Sequence, residues 1–341
     1  MRIVWKNIIM KNKKEINSRM YLLKAIAIFT VVLAHTNCDL IQNPIDYYLI
    51  KRLSAIGVFS FFFLSGYYFR VKKWSLFFSV NLQRLIIPWF VLGSFNYLLG
   101  CFKSGEEIYL IEYLKYLFGS GSMYYFCTVL LILKIAMNYI CIKNNRLGIH
   151  YFFIGLTVLS IAMSATLSPM VKEYSYDIVT PYLNIFNWIG IFSLGIVAKE
   201  KDLIARYHTL DLKWKLLIYA TTAVFWVIGY TDCEFGYFGR YSFVCEFGMM
   251  LTIIEVLFLF SVDNRGIQFL EMIGKNTLTV YLLHYPLLSI LQKNSIFNGS
   301  VIFVFARCFI CASTLAIFAA LLKKLCANKR LYWTKVLFGI R

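Results

Sequence analysis

Long apolar runs recur from one end of this chain to the other, and they restrict the fold more than any other feature. "YFFIGLTVLSIAMSATL" and "VIFVFARCFICASTLAIFAALL" are representative. Runs of about 17–25 residues suit a helix that crosses a bilayer. No sustained alternation of apolar and polar residues points to strands. Only 15% of the 341 residues are charged, against about 25% in soluble domains. The expected fold class is therefore an all-α polytopic membrane protein. Ten spans are expected, at 21–40, 53–69, 85–101, 123–141, 148–168, 181–198, 214–231, 241–261, 276–292 and 299–322. The chain 1–341 reads as a single membrane-embedded domain, with a cytoplasmic tail at 1–20, a transmembrane bundle at 21–322 and a second cytoplasmic tail at 323–341.

The net charge of +18 does not point to nucleic acid, because the basic residues are not gathered into a soluble domain. They punctuate the apolar runs. With the N-terminus inside, 26 of the 35 Lys and Arg fall on the cytoplasmic side and 7 outside, with Lys134 and Arg307 within spans. Cytoplasmic loops carry the excess of Lys and Arg, so this asymmetry favours ten spans with both termini cytoplasmic. The 102–122 loop is then outside and the 199–213 loop inside. No cleavable signal peptide is evident, since polar or mixed residues precede the first apolar run and no small-residue cleavage site follows it. Nine cysteines, at 38, 101, 127, 141, 233, 245, 308, 311 and 326, read as small packing residues. Cys308 and Cys311 form a C-x-x-C with no second pair or nearby His, so no metal site is expected.

An ionisable group within a transmembrane helix is costly and tends to face a cavity or a partner. Lys24, His35, Glu246, Glu255, His284 and Arg307 are such groups, whereas His150 and His208 sit at or beyond span ends. "KAIAIFTVVLAH" separates Lys24 from His35 by nearly three helical turns. Both should share one face, about 16 Å apart along the axis, and could line one cavity. Taken alone, Lys24 also reads as a snorkelling lysine and His35 as a core histidine. "GVFSFFFLSGYYFR" breaks an aromatic helix with Ser65 and Gly66, which let a helix or a ligand approach the backbone. "QRLIIPW" sets Arg84 at the cytoplasmic start of the third span, where it suits a phosphate or anchors topology. "IGKNTLTVYLLHYPLL" offers Asn276 or Thr277 as a cap and places His284 about two turns on, just before a kinking Pro286. Glu255 and Arg307 are candidates for a structural ion pair.

With "GSMYYF" and "PYLNIFNWIGIFSLG", these stretches resemble the acyltransferase 3 family of integral membrane acyltransferases, whose members modify bacterial surface sugars, lipopolysaccharide and Nod factors. The resemblance covers most of the chain. Relatives usually begin the first helix with Arg where this chain has Lys24, and often carry Trp where it has Tyr124 or Tyr125. Lys keeps the charge but not Arg's bidentate reach.

The resemblance implies transfer of an acyl group, foremost acetyl, from cytoplasmic acetyl-CoA as co-substrate, without a metal. The implied acceptor is a hydroxyl of a surface glycan such as O-antigen, or of its lipid-linked precursor. That would place the protein in polysaccharide biosynthesis, multi-pass in the bilayer of the inner (cytoplasmic) membrane. His35 is the implied base or transient acetyl carrier. Lys24, with Arg84, would attract the CoA phosphates or stabilise the thioester oxyanion. His284 would orient substrate, and Ser65 and Gly66 would shape the cavity. The appended hydrolase-like domain that some relatives carry is not expected. The competing reading is a transporter or exporter of a glycan or acyl compound. That reading calls for broken helices paired across an inverted repeat, and no such repeat is visible. A purely structural scaffold leaves the polar residues at membrane depth unexplained.

Overall fold

The computed structural model describes residues 2–36, 41, 43–143, 149–173, 182–231, 241–261, 264–293, 300–326 and 332–340, with side chains excepted at 2–14, 149 and 163–173. Cys38 and Cys233 lie outside the described residues. All regular structure among the described residues is helical. The helices are α1 (Arg2–Ala34), α2 (Pro44–Tyr67), α3 (Trp74–Asn81), α4 (Ile87–Ser104), α5 (Leu110–Phe118), α6 (Tyr125–Lys143), α7 (Ile149–Glu173), α8 (Ile185–Glu200), α9 (Leu203–His208), α10 (Leu212–Thr231), α11 (Ser242–Phe258), α12 (Arg265–Lys275), α13 (Thr277–Gln292), α14 (Val301–Leu325) and α15 (Tyr332–Leu337).

Among the described residues, six helices are long and apolar enough to cross a membrane: Glu15–Ala34, Pro44–Tyr67, Trp74–Ser104, Tyr125–Lys143, Leu212–Thr231 and Val301–Leu325. They coincide with six of the ten expected spans. The other four expected spans also fall on helices, but α8, α11 and α13 hold only 16, 17 and 16 residues, and the shorter apolar stretch of α7 is His150–Ala162. α1 begins within the stretch expected to be a tail, and α2 begins at Pro44 rather than near 53.

That earlier start relocates Arg52. Expected in an outer loop, it sits inside α2 at 1% exposure. Its Nη1 lies 3.5 Å from Glu246 Oε1 on α11, and its Nε donates to Tyr48 Oη at 3.2 Å. A charge buried this way needs a partner, and the partner is nearly two hundred residues away. Glu255 is also placed differently from expectation. It does not pair with Arg307; it binds Lys215 at 2.7 Å and His208 at 3.2 Å. Both partners lie close to one another in sequence at the α9–α10 connection, within reach of the C-terminal part of α11.

The core forms where α1, α2 and α8 pack together. Small residues set the closest approach. A Cβ at Gly66 would lie 1.9 Å from the Phe192 carbonyl oxygen, and one at Gly195 would lie 2.0 Å from that of Phe63. The two glycines thus admit each other's helix backbones, one from each side, and the phenylalanines beside them fill the space around the crossing.

Proline shapes two neighbouring helices, α4 and α13. Between α3 and α4, Leu82–Ile86 forms a π-helical turn, and the Ile87 N–H donates to the Leu82 carbonyl. Pro88 has no N–H to offer the Arg84 carbonyl and its ring crowds that group, which favours a wider turn. In α13, Pro286 removes the donor that the Leu282 carbonyl would have used. Asn96 of α4 supplies it instead, with Nδ2 donating to Leu282 O at 2.8 Å. In apolar surroundings an unmet carbonyl costs on the order of 1–3 kcal/mol, so Asn96 makes the kinked helix tolerable and ties it to α4.

Candidate active site

One end of the bundle opens into a cavity of about 610 Å³. Lys24 of α1, Arg70 and Lys72 after α2, Arg84 of the π turn, Lys134 of α6, Lys275 of α12 and Lys323 of α14 all line it. No Asp or Glu is among the lining residues. One of these cations, Lys275, is engaged at 2.9 Å by Glu271 just outside the lining. Cations converging from six segments of the chain make a strongly positive chamber that focuses field on an anion. Aromatic rings form part of its wall: Lys24 Nζ sits 4.2 Å from the centre of the Tyr68 ring and 5.2 Å from that of Tyr21. Such cation–π contacts hold an ammonium without neutralising it.

A second group of polar residues lies deeper. α1 ends at Ala34, and His35 occupies the turn that follows. Gln292, the last residue of α13, fixes that turn by donating to the His35 carbonyl at 3.2 Å. The His35 ring lies 5.1 Å from the His284 ring, centre to centre, and 6.2 Å from Tyr285 at its edge. His284 is fully buried, and its Nδ1 is 2.7 Å from the Tyr281 carbonyl oxygen. A carbonyl only accepts, so Nδ1 carries the proton. Nε2 is then left as a bare lone pair, with no hydrogen-bond partner among the described residues. A buried imidazole held in a single tautomer leaves that nitrogen as an acceptor fixed in direction.

Cys308 and Cys311 back this pair. The Cys308 sulfur contacts Thr36 Oγ1 at 3.1 Å, and Cys311 Sγ donates to the His284 carbonyl at 3.7 Å. They pack against the two histidines from α14.

Tyr281 joins the cavity to the histidines. Its side chain lines the cavity, while its carbonyl holds His284 one helical turn further in. The residues singled out in the sequence therefore divide between two places. Lys24, Arg84 and Ser65 line the cavity, and His35 and His284 stand together beyond it. Lys24 lines the cavity and His35 does not, so the two do not share this chamber. Gly66 lies in neither place; its missing side chain admits α8. Arg70, Lys72, Lys275 and Lys323 gave no signal of their own, being indistinguishable from topology anchors. Lys134 did give one, as a cation inside an expected span. Tyr281 and Asn96 act mainly through contacts to distant backbone, which no local pattern announces.

No curated protein and no solved structure matches the chain. A family model described as an acyltransferase domain, that of acyltransferase 3, matches residues 17–323, which take in Lys24, the histidine pair and all seven cations of the cavity. This many-helix membrane protein, with its basic chamber and paired histidines, belongs to the acyltransferase 3 family.

Proposed function

We propose that this membrane acyltransferase moves a short acyl group, foremost acetyl, from cytoplasmic acyl-CoA to a hydroxyl of a bacterial cell-surface glycan or its lipid-linked precursor. The observation that carries the reading is the seven-cation cavity joined through Tyr281 to the His35–His284 pair. Acyl-CoA has a polyphosphorylated head and a thioester at the end of a long, thin arm. A cationic chamber suits the head, and the arm would reach from it past Tyr281, which lines the chamber and holds His284. Lys24 and Arg84 hold phosphate by charge-assisted bonds. The surrounding Ser65 and aromatic walls fit the less polar parts.

At the histidine pair the acceptor hydroxyl attacks the thioester carbonyl. The imidazole of His35 takes the hydroxyl proton as the C–O bond forms. The tetrahedral oxyanion collapses, the C–S bond breaks, and CoA leaves as a thiolate that takes up the proton. His284, fixed by Tyr281, positions the reacting groups and His35. The donor enters from the end bearing Lys24, which the charge asymmetry puts in the cytoplasm, with ten spans in the inner membrane.

Purified protein in proteoliposomes, given radiolabelled acetyl-CoA, tests the donor side. Lys24→Ala and Arg84→Ala should each raise KM for acetyl-CoA by about tenfold, equivalent to about 1.4 kcal/mol, with kcat little changed. Lys24→Arg should stay close to wild type, since the cation is kept. Unchanged KM in both alanine variants would remove the cavity from donor binding.

A further inference from the structure

The far end of α4, opposite Arg84, carries a second cleft of about 400 Å³. Its character is the reverse of the first. Tyr97, Tyr109 and Tyr116 line it, with Glu106, Glu107 and Glu112. Three carboxylates against a single Lys115 repel a phosphorylated donor, so this cleft disfavours the ligand that the first chamber suits. The Tyr97 ring lies 5.3 Å from Tyr116 and 5.4 Å from Tyr113. Glu107 accepts from Tyr109 Oη at 2.7 Å, and Glu112 binds Lys115 at 2.8 Å. Each carboxylate has further lone pairs to offer.

Flat aromatic faces beside carboxylates answer the two kinds of surface on a sugar ring. The C–H face stacks on tyrosine, and the hydroxyls donate to carboxylate oxygens. The position of the cleft narrows the choice further. α5 exposes Leu110, Ile111, Leu114 and Phe118, preceded by an exposed Ile108, while Glu112 and Tyr116 face the cleft. A short helix with such an apolar ridge lies in the membrane interface, which sets the cleft at the level of lipid headgroups.

The cleft also communicates with the histidines. Asn96, next to Tyr97 in the chain, bonds both the Tyr124 hydroxyl, at 2.5 Å, and the Leu282 carbonyl two residues before His284. Lys103, at the end of α4, reaches Ser289 of α13 at 3.5 Å. Burial, with the Tyr285 hydroxyl close by, pushes the Tyr116 phenol up to about 12. Tyr285 in turn touches His35. Asn96 and Lys103 therefore tie the cleft end of α4 to α13, which carries His284 and Tyr285.

We infer that the Tyr97–Tyr109–Tyr116 cleft, with Glu106, Glu107 and Glu112, binds the saccharide of the acceptor and presents its hydroxyl towards His35. This rests on the acyl-transfer reading above. The saccharide could be carried on a lipid or be part of a water-soluble polysaccharide, and the test separates these sources.

The full chain in proteoliposomes is given radiolabelled acetyl-CoA and one of two acceptors: a chloroform–methanol extract of host membranes, or the aqueous surface-polysaccharide fraction. Tyr109→Ala should raise KM for the acceptor by about tenfold or more, while KM for acetyl-CoA stays within about twofold of wild type. Tyr109→Phe, which keeps the stacking ring but not the bond to Glu107, should recover most of the acceptor affinity that Tyr109→Ala loses. The unchanged donor KM shows that the variants are folded. Saturable transfer to either fraction, lost in Tyr109→Ala, supports the cleft and names the source. Wild-type acceptor KM in Tyr109→Ala, or equal loss in the Ala and Phe variants, would overturn it. Acetyl-CoA binding without transfer to either fraction by wild type would overturn the acyl-transfer reading to glycan, and the cleft with it.

Discussion

His35→Ala is expected to lower kcat for acyl transfer by about 10²–10⁴-fold, the range lost when a general base is removed. KM for acetyl-CoA should stay near the wild-type value, because His35 does not line the cationic cavity. Loss in kcat with KM preserved marks a group that acts in the transition state rather than in donor binding. His284→Ala should also be severe, since its ring is 5.1 Å from His35 and its tautomer is fixed by Tyr281. The double variant should be no worse than about the larger single loss, because the two rings act as a unit. Multiplying losses in the double variant would mean that the histidines work independently. A His35→Ala enzyme with wild-type turnover would return His35 to the core and move the base to His284.

The second large effect is on folding. Gly66→Val should destabilise the protein by more than about 3 kcal/mol, the class of change produced by overpacking that cannot relax. A Cβ there would stand 1.9 Å from the Phe192 carbonyl oxygen. Backbone cannot swing aside as a side chain can. α8 cannot retreat either, because Gly195 brings it equally close to the Phe63 carbonyl. Thermal unfolding followed by size-exclusion chromatography in detergent measures this directly. The variant should be lost from the monodisperse peak at temperatures that wild type withstands, while Ser65→Ala, one residue away and facing the cavity, should elute normally. Wild-type Tm for Gly66→Val would contradict the packing described for α2 and α8.

Ser65 and Gly66 show where reading the sequence succeeds and where it stops. Both are small residues in an aromatic helix, and both suggest close approach. Only the fold tells which one faces a cavity and which faces another helix. The long apolar runs made the helical membrane class legible, because a bilayer imposes a length and a composition that need no partner to be recognised. Arg52 illustrates the opposite case. Beside Lys51 it resembles a loop cation, and Glu246 on α11, together with Tyr48, allows it to be buried. Glu255 likewise finds Lys215 and His208 instead of Arg307, because the α9–α10 connection brings both partners beside α11. Helical periodicity put Lys24 and His35 on one face, and it could not show that only Lys24 lines the cavity. The histidines were visible as titratable groups at membrane depth. Their pairing across 249 residues, a matter of where α13 packs against α1, was not.

The measurement that bears most directly on the central claim is transfer of label by the purified wild-type protein, reconstituted alone, from radiolabelled acetyl-CoA into the glycan fractions of the host. The account predicts label that depends on both substrates, is released by mild base as an ester should be, and appears with free CoA thiol in equal amount. Labelled glycan that resists base, or passage of glycan across the vesicle membrane with no thiol released, would contradict it and favour transport.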